Sequence, residues 1–138
     1  MKSKIMYIEQ KTDGLRGKGR IGLVKYSKTG KTLYYGDKVL APTAGTPLKA
    51  NYYDQESHLD FWISGARKDG EDSLFSSEIE IDENVREEYW TKIRKSPEKI
   101  TQKKYRSPGK TKSEIEKIEK GLRRRQMDNG WMPFKTDA

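Results

Sequence analysis

Residues 21–35 read IGLVKYSKTGKTLYY, and this stretch decides the fold. Its two arms are rich in apolar, β-branched and aromatic residues, which favour strands, and they flank the polar segment 27–31. Gly30 can adopt the positive φ that a tight hairpin turn needs. The stretch therefore predicts a β-hairpin.

Further short strands are expected on both sides of this hairpin. Apolar and aromatic runs, separated by glycine, proline or polar turns, occur at residues 5–8, 39–41, 51–54 and 60–63. Short strands broken in this way favour a strongly bent antiparallel sheet or a small barrel over a doubly wound fold.

The stretch 78–82 alternates strictly, so Ile79 and Ile81 share one face and three carboxylates share the other. Asp82 is then expected to cap a helix over about 83–94, with carboxylates near the start of the helix favoured by its dipole. The apolar face of that helix carries Val85, Tyr89, Trp90 and Ile93.

These elements predict an α+β fold with two parts. Residues 1–94 are expected to form a small, strongly bent antiparallel sheet or SH3-like barrel closed by one helix. Ser96-Pro97 marks the boundary, because proline interrupts a preceding helix. Residues 95–138 are expected to form a basic helical extension, with a helix over about 114–128 that starts at a capping-box pattern.

Composition excludes several classes of site. The 138 residues include 29 Lys and Arg, 21 Asp and Glu, one His and no Cys, for a net charge of +8. Without cysteine there is no disulfide, thiol nucleophile or cysteine zinc site, and a lone histidine excludes a multi-histidine metal centre. We therefore expect neither a metal nor a cofactor. No apolar run approaches membrane-spanning length, so a cytoplasmic protein without a membrane partner is expected.

The charges are arranged in blocks along the chain. Residues 1–49 hold eleven basic and three acidic side chains, residues 50–94 hold five and twelve, and residues 95–138 hold thirteen and six. Such blocks are either solvated surface or patches of opposite sign that steer partners.

Motifs that suggest catalysis or nucleotide binding fail on their context. Residues 17–22 satisfy GxGxxG, but residues 23–26 continue as a strand where a dinucleotide-binding loop would open a helix. The Gly-Lys-Thr triplets at 30–32 and 109–111 lack the earlier glycine of a phosphate-binding loop. The acidic stretch 69–88 lacks a recognisable nucleophile–base pair. We therefore expect a protein that is not an enzyme and has no catalytic residues.

The leading hypothesis is a non-catalytic module that binds nucleic acid, RNA in particular, or a ribonucleoprotein surface. Adjacent aromatic residues in a strand point to opposite faces, so one ring of each pair can lie outside the core beside interleaved lysines. Lysines suit phosphate contacts and exposed rings suit base stacking, although tyrosine and lysine also occur in strands for propensity and edge protection. The predicted nucleic-acid-binding residues are Lys25, Lys28, Lys31, Tyr34, Tyr35, Tyr53, Arg123, Arg124 and Arg125.

Six segments, 19–22, 27–35, 51–54, 61–65, 68–70 and 85–90, resemble in order and spacing a family of small uncharacterised bacterial proteins. The resemblance covers residues 5–94 and implies no catalytic residues, but it leaves room for an immunity or antitoxin role. In that alternative the acidic 69–88 surface would bind a protein toxin. A third hypothesis is assembly with another subunit through the apolar C-terminal residues, and the oligomeric state is open. The protein-partner residues of these two alternatives are Asp69, Glu71, Asp72, Glu78 and Glu80, and Trp131, Met132 and Phe134.

Overall fold

The structure, a computed structural model, describes residues 2–13, 16–43, 50–117 and 120–121. Its strands are β1 (Lys2–Asp13), β2 (Arg16–Tyr26), β3 (Leu33–Tyr35), β4 (Lys38–Pro42), β5 (Tyr52–Asp54), β6 (Asp60–Gly65), β7 (Ser77–Ile81) and β8 (Lys104–Ser107). Strands β1 to β6 form a closed antiparallel barrel in the order β1-β6-β5-β4-β3-β2. The barrel closes because β1 pairs with β6 along one edge and with β2 along the other. The prediction of a small β-barrel is confirmed, and its closure comes from strand pairing where a helix was expected.

Strand β2 pairs with β1 along one edge, and two other strands, β3 and β7, share its opposite edge. Lys25 and Tyr26 pair with β3, whereas residues 19–21 pair in parallel with β7. Strand β8 adds to the far side of β7 in antiparallel register. Strands β7 and β8 therefore extend the barrel wall outward.

This arrangement produces two apolar cores, one on each face of β1. Because successive side chains alternate, the run 5–8 can supply both. Inside the barrel lie Met6, Ile8, Val24, Leu33, Leu40, Tyr52, Phe61 and Ile63. The second core lies between the barrel wall and strands β7 and β8, and consists of Ile5, Tyr7, Ile21, Trp62, Ile79, Ile81, Val85, Tyr89, Trp90 and Tyr105. Each fully buried large apolar side chain contributes roughly 1.5–3 kcal/mol of transfer free energy, so both cores stabilise the fold.

A helical segment over residues 83–93 covers the second core. It changes geometry along its length, from a 3₁₀ turn (Glu83–Val85) through an α turn (Arg86–Glu88) to a π turn (Tyr89–Ile93). The expected apolar face is confirmed, since Val85, Tyr89 and Trp90 are buried and Ile93 packs against them. The expected cap is wrong: the Asp82 carboxylate makes no capping hydrogen bond and instead accepts hydrogen bonds from β2 and β3.

Packing continues beyond residue 94, where the sequence predicts the start of a separate extension. The indole Nε1 of Trp90 donates to the carbonyl of Gln102 at 2.9 Å, and the amide of Ile81 donates to the carbonyl of Lys103 at 2.8 Å. Tyr105 and Ser107 of β8 are buried, so residues up to 107 belong to the same packed unit. Residues 112–117 and 120–121 are helical, and the rest of the helix expected over 114–128 lies outside the described residues.

Candidate nucleic-acid interface

The outer face of β2–β5 carries basic and aromatic side chains together. Lys25 lies directly opposite Tyr34, Tyr34 lies opposite Val39, and Tyr53 lies opposite Ala41. Directly opposed residues point to the same side of a sheet, and the neighbours of these residues face the barrel core. Lys25 is exposed, and both tyrosines are half-buried. One strand, β4, and an offset of two residues separate the tyrosines, which places them about 12 Å apart from strand spacing and rise per residue, so they offer separate stacking positions.

The β2–β3 turn adds two more lysines at one end of this face. The amide of Gly30 donates to the carbonyl of Ser27 at 2.8 Å, and the amide of Thr32 donates to the Oγ of Ser27 at 3.2 Å. Gly30 has a φ of 76°, which confirms why glycine stands at this turn position. Lys28 and Lys31 are exposed on this hydrogen-bonded turn. Across the described ranges, neither they nor Lys25 pair with a carboxylate.

His58 extends the aromatic surface beside Tyr53. Its ring lies 6.5 Å from the Tyr53 ring, centroid to centroid, with an interplanar angle of 9°. The Asp54 carboxylate organises the turn that holds it, accepting from Ser57 Oγ at 2.8 Å and from the Glu56 amide at 3.3 Å. The hydrogen bond from Ser57 lowers the pKa of Asp54. The stack was not predicted, although an Asp followed three residues later by Ser indicates such a turn.

Tyr35 lies on the other side of the sheet from Tyr34, facing the open end of the barrel. Its hydroxyl donates to Oδ2 of Asp82 at 2.5 Å. Burial, together with this carboxylate, raises the pKa of Tyr35 to about 12. A Cβ at Gly22 would lie 2.5 Å from the Tyr35 ring, so this glycine of the GxGxxG pattern permits close packing. The structure thus separates Tyr35 from the other two tyrosines expected to bind nucleic acid.

Asp72 cannot belong to an acidic partner surface, because its side chain is buried. Its carboxylate accepts the Tyr105 hydroxyl at 2.6 Å and the Arg67 amide at 2.8 Å. Burial raises the pKa of Asp72. Asp72 was expected on the surface because three of the four residues 69–72 are acidic, and sequence alone does not show that Tyr105 covers it.

The other carboxylates of the proposed acidic surface are dispersed, and most are paired. Asp69 pairs with Arg67 at 2.9 Å, Glu78 with Lys104 at 3.2 Å and Glu80 with Arg20 at 2.7 Å, whereas the side chain of Glu71 is exposed. Two of these pairs join neighbouring strands of the β2-β7-β8 sheet, where opposite charges stabilise strand pairing. Their geometry therefore fits a role in sheet assembly.

The remaining predicted site residues, Arg123, Arg124, Arg125, Trp131, Met132 and Phe134, lie outside the described residues. Where the chain is described, no group of three or more His, Asp or Glu residues could hold a metal ion. The same part of the chain contains no helix of the length and apolarity needed to cross a bilayer.

No family model, curated protein or solved structure matches this chain. Residue chemistry is therefore the basis on which a function can be proposed.

Proposed function

We propose that the protein is a non-catalytic module that binds single-stranded nucleic acid, RNA in particular, on the outer face of β2–β5. The observation that carries the proposal is the placement of Lys25 directly opposite Tyr34, on the face that also carries Tyr53. Lysines that neutralise phosphates release counterions, and ring faces stack on bases of any sequence. Lys28 and Lys31 extend the basic track at the adjacent turn.

The shape of this face favours a single strand over a duplex. Tyr34 and Tyr53 belong to strands of the barrel wall, and their side chains are half-buried. Bases that are already unstacked can reach such rings, whereas reading a duplex groove requires a protruding helix or β-ribbon. The basic extension after residue 107, with Arg123 to Arg125, would add phosphate contacts.

The charge environment also favours this face over the acidic one. The three lysines have no carboxylate partner in the described part of the chain, so their charge is available to a polyanion. Asp69, Glu78 and Glu80 are already paired with cations of the same chain. An inhibitor that recognised a basic toxin through them would first have to break those pairs.

The test is fluorescence anisotropy of the full chain with a labelled oligouridine RNA, its DNA counterpart and a duplex of the same length. Tyr34→Ala should weaken RNA binding by about 5-fold or more, because stacking contributes about 1–3 kcal/mol per base, and Tyr34→Phe should retain it. Lys92→Gln, at an exposed lysine of the helical segment that pairs with Glu88 at 3.5 Å, is the charge control. Absence of binding at low salt, or equal losses from Lys92→Gln and Lys25→Gln, would overturn the proposal.

A further inference from the structure

One end of the barrel opens onto a cavity of about 390 Å³. Its floor is apolar, formed by Ile8 and Phe61, which belong to the barrel core. Nearer the opening, the residues that line the barrel are polar or charged. Gln10 and the cations Lys18, Arg20 and Lys38, with the Tyr35 phenol, surround the opening. We call this region the barrel mouth.

Strand register explains why these side chains converge. Gln10 of β1 lies directly opposite Lys18 of β2 on one side and Phe61 of β6 on the other. Lys38 lies opposite Tyr35 where β3 turns into β4. Opposed residues share a face, so all five point to the inside of the barrel at the same end.

The guanidinium of Arg20 is already engaged. It donates to Oδ1 of Asp82 at 2.9 and 2.7 Å and to Oε2 of Glu80 at 2.7 Å, and the hydrogen bonds to Asp82 raise its pKa. These contacts fix Arg20 as part of the wall and neutralise its charge. Arg20 therefore shapes the mouth, and the charge available to a ligand must come from other residues.

Lys18 and Lys38 carry that available charge. Lys18 is exposed and has no ion-pair partner among the residues the structure describes. Among the described residues Lys38 forms an ion pair with Asp37, at 3.7 Å, and the Asp37 side chain is 96% exposed. After the hydrogen bond from Ser57, the charge of Lys38 also contributes to the lowered pKa of Asp54. Exposed pairs of this kind contribute about 0–1 kcal/mol, so a ligand anion can displace Asp37. Two ammonium groups thus flank an apolar floor.

We infer that the barrel mouth binds a small organic anion that joins a flat ring to a phosphomonoester, such as a nucleoside monophosphate. The ring would pack on Phe61 and Ile8, and the phosphate would lie between Lys18 and Lys38. The amide of Gln10 would hydrogen-bond to the ring edge. The cavity falls within the roughly 300–1,000 Å³ range of small-molecule sites, and combines an apolar lining with a few polar groups, as such sites do.

The experiment is a titration of the full, isotope-labelled chain with adenosine monophosphate, followed by backbone amide shifts. Adenosine and inorganic phosphate serve as probes that lack the anion or the ring. We expect saturable shifts at Gln10, Tyr35 and Lys38 with a Kd tighter than about 1 mM, and weaker binding of both partial probes. Equal binding of inorganic phosphate would show an unspecific anion site and overturn the inference, as would shifts confined to other parts of the chain.

Substitutions at the exposed Lys18 and the half-buried Lys38 test the charges without removing a residue of the core. Lys18→Gln and Lys38→Gln should each weaken binding at least about 5-fold, whereas Lys92→Gln should not change it. An affinity unaffected by both mouth substitutions would overturn the inference. Tyr34→Ala separates this site from the nucleic-acid face, since it should weaken oligonucleotide binding and leave the mononucleotide affinity intact. If the native chain binds the oligonucleotide but not adenosine monophosphate, the barrel-mouth inference fails, and if it binds only adenosine monophosphate, the nucleic-acid proposal fails.

Discussion

The carboxylate of Asp82 accepts two hydrogen bonds from the guanidinium of Arg20, at 2.9 and 2.7 Å, although 62 positions separate the two residues. Its other oxygen accepts the hydroxyl of Tyr35, and the Asp82 amide donates to the carbonyl of Ile21 at 2.9 Å. One residue thus connects β2, β3 and the end of β7 at the point where the sheet leaves the barrel. The contact joins the two cores as a unit and forms the wall of the barrel mouth.

Removal of this carboxylate should destabilise the protein measurably. Asp82→Ala leaves Arg20 and Tyr35 without their acceptor, and we expect the free energy of unfolding to fall by about 1–3 kcal/mol in urea denaturation. The Asp82 side chain is only 19% exposed, so water replaces the lost bonds poorly. Asp37→Ala, at the exposed pair with Lys38, is the control and should change the value by less than about 0.5 kcal/mol. Equal effects of the two substitutions would contradict the assigned role.

Local sequence patterns were sufficient for the parts of the fold that depend on neighbours in the chain. The turn at Gly30, the buried face of Ile79 and Ile81, and the apolar face of the helical segment all follow from periodicity and turn chemistry. The parallel pairing of Gly19 with Ile79 joins segments 60 positions apart, and no local pattern encodes it. Strand β8 was missed because its two buried residues alternate with charged ones over only four positions.

As with the fold, local sequence patterns predicted only part of the candidate site. Alternation indicates that Tyr34 and Tyr35 face opposite ways, but which of them lies outside depends on the register with β2 and β4. The burial of Asp72 depends on Tyr105, which is 33 positions away along the chain. The barrel mouth combines residues from five strands, so it forms only once the barrel has closed.

The buried Asp72 should give the protein a characteristic pH dependence. Its pKa is raised above the ordinary 3.8, so the folded state holds this proton more tightly than the unfolded state does. The stability from this group is therefore fully present below pH 3.8 and declines as pH rises through the raised pKa. In urea denaturation across this range, Asp72→Asn should lose that decline and gain stability relative to the native chain as pH rises.

Asp69 supplies a control of opposite sign in the same loop. The hydrogen bond from Arg67 lowers the pKa of Asp69, so its contribution is present above pH 3.8 and declines as pH falls. Asp69→Asn should therefore reduce the loss of stability on the acid side, by a small amount because the pair is exposed. If the free energy of unfolding of Asp72→Asn changes with pH in parallel with that of the native chain, ionisation of Asp72 does not destabilise the fold, and the prediction is wrong.

Tyr35 should titrate at strongly alkaline pH. Burial and the Asp82 carboxylate raise its pKa to about 12, so its stabilising effect is fully present below the ordinary value of 10 and is lost as pH rises through about 12. In an ultraviolet absorbance titration, Tyr35→Phe should remove one phenol ionisation near that pH. Asp82→Asn should move it to lower pH, because only burial would then raise the pKa. The folded state is verified by circular dichroism at each pH, and an unchanged titration in Tyr35→Phe would refute the assignment.

Binding of single-stranded RNA should depend on salt through the lysines and not through the tyrosine. Each phosphate contact releases condensed counterions, so the slope of log K against log salt should become shallower by about 0.7 for each lysine removed. Lys25→Gln and Lys28→Gln should each produce this change, and Lys92→Gln should not. Tyr34→Ala should weaken affinity at every salt concentration and leave the slope unaltered, because stacking releases no ions. Anisotropy titrations at several KCl concentrations measure both quantities, and a slope that neither lysine alters would place the phosphates elsewhere on the protein.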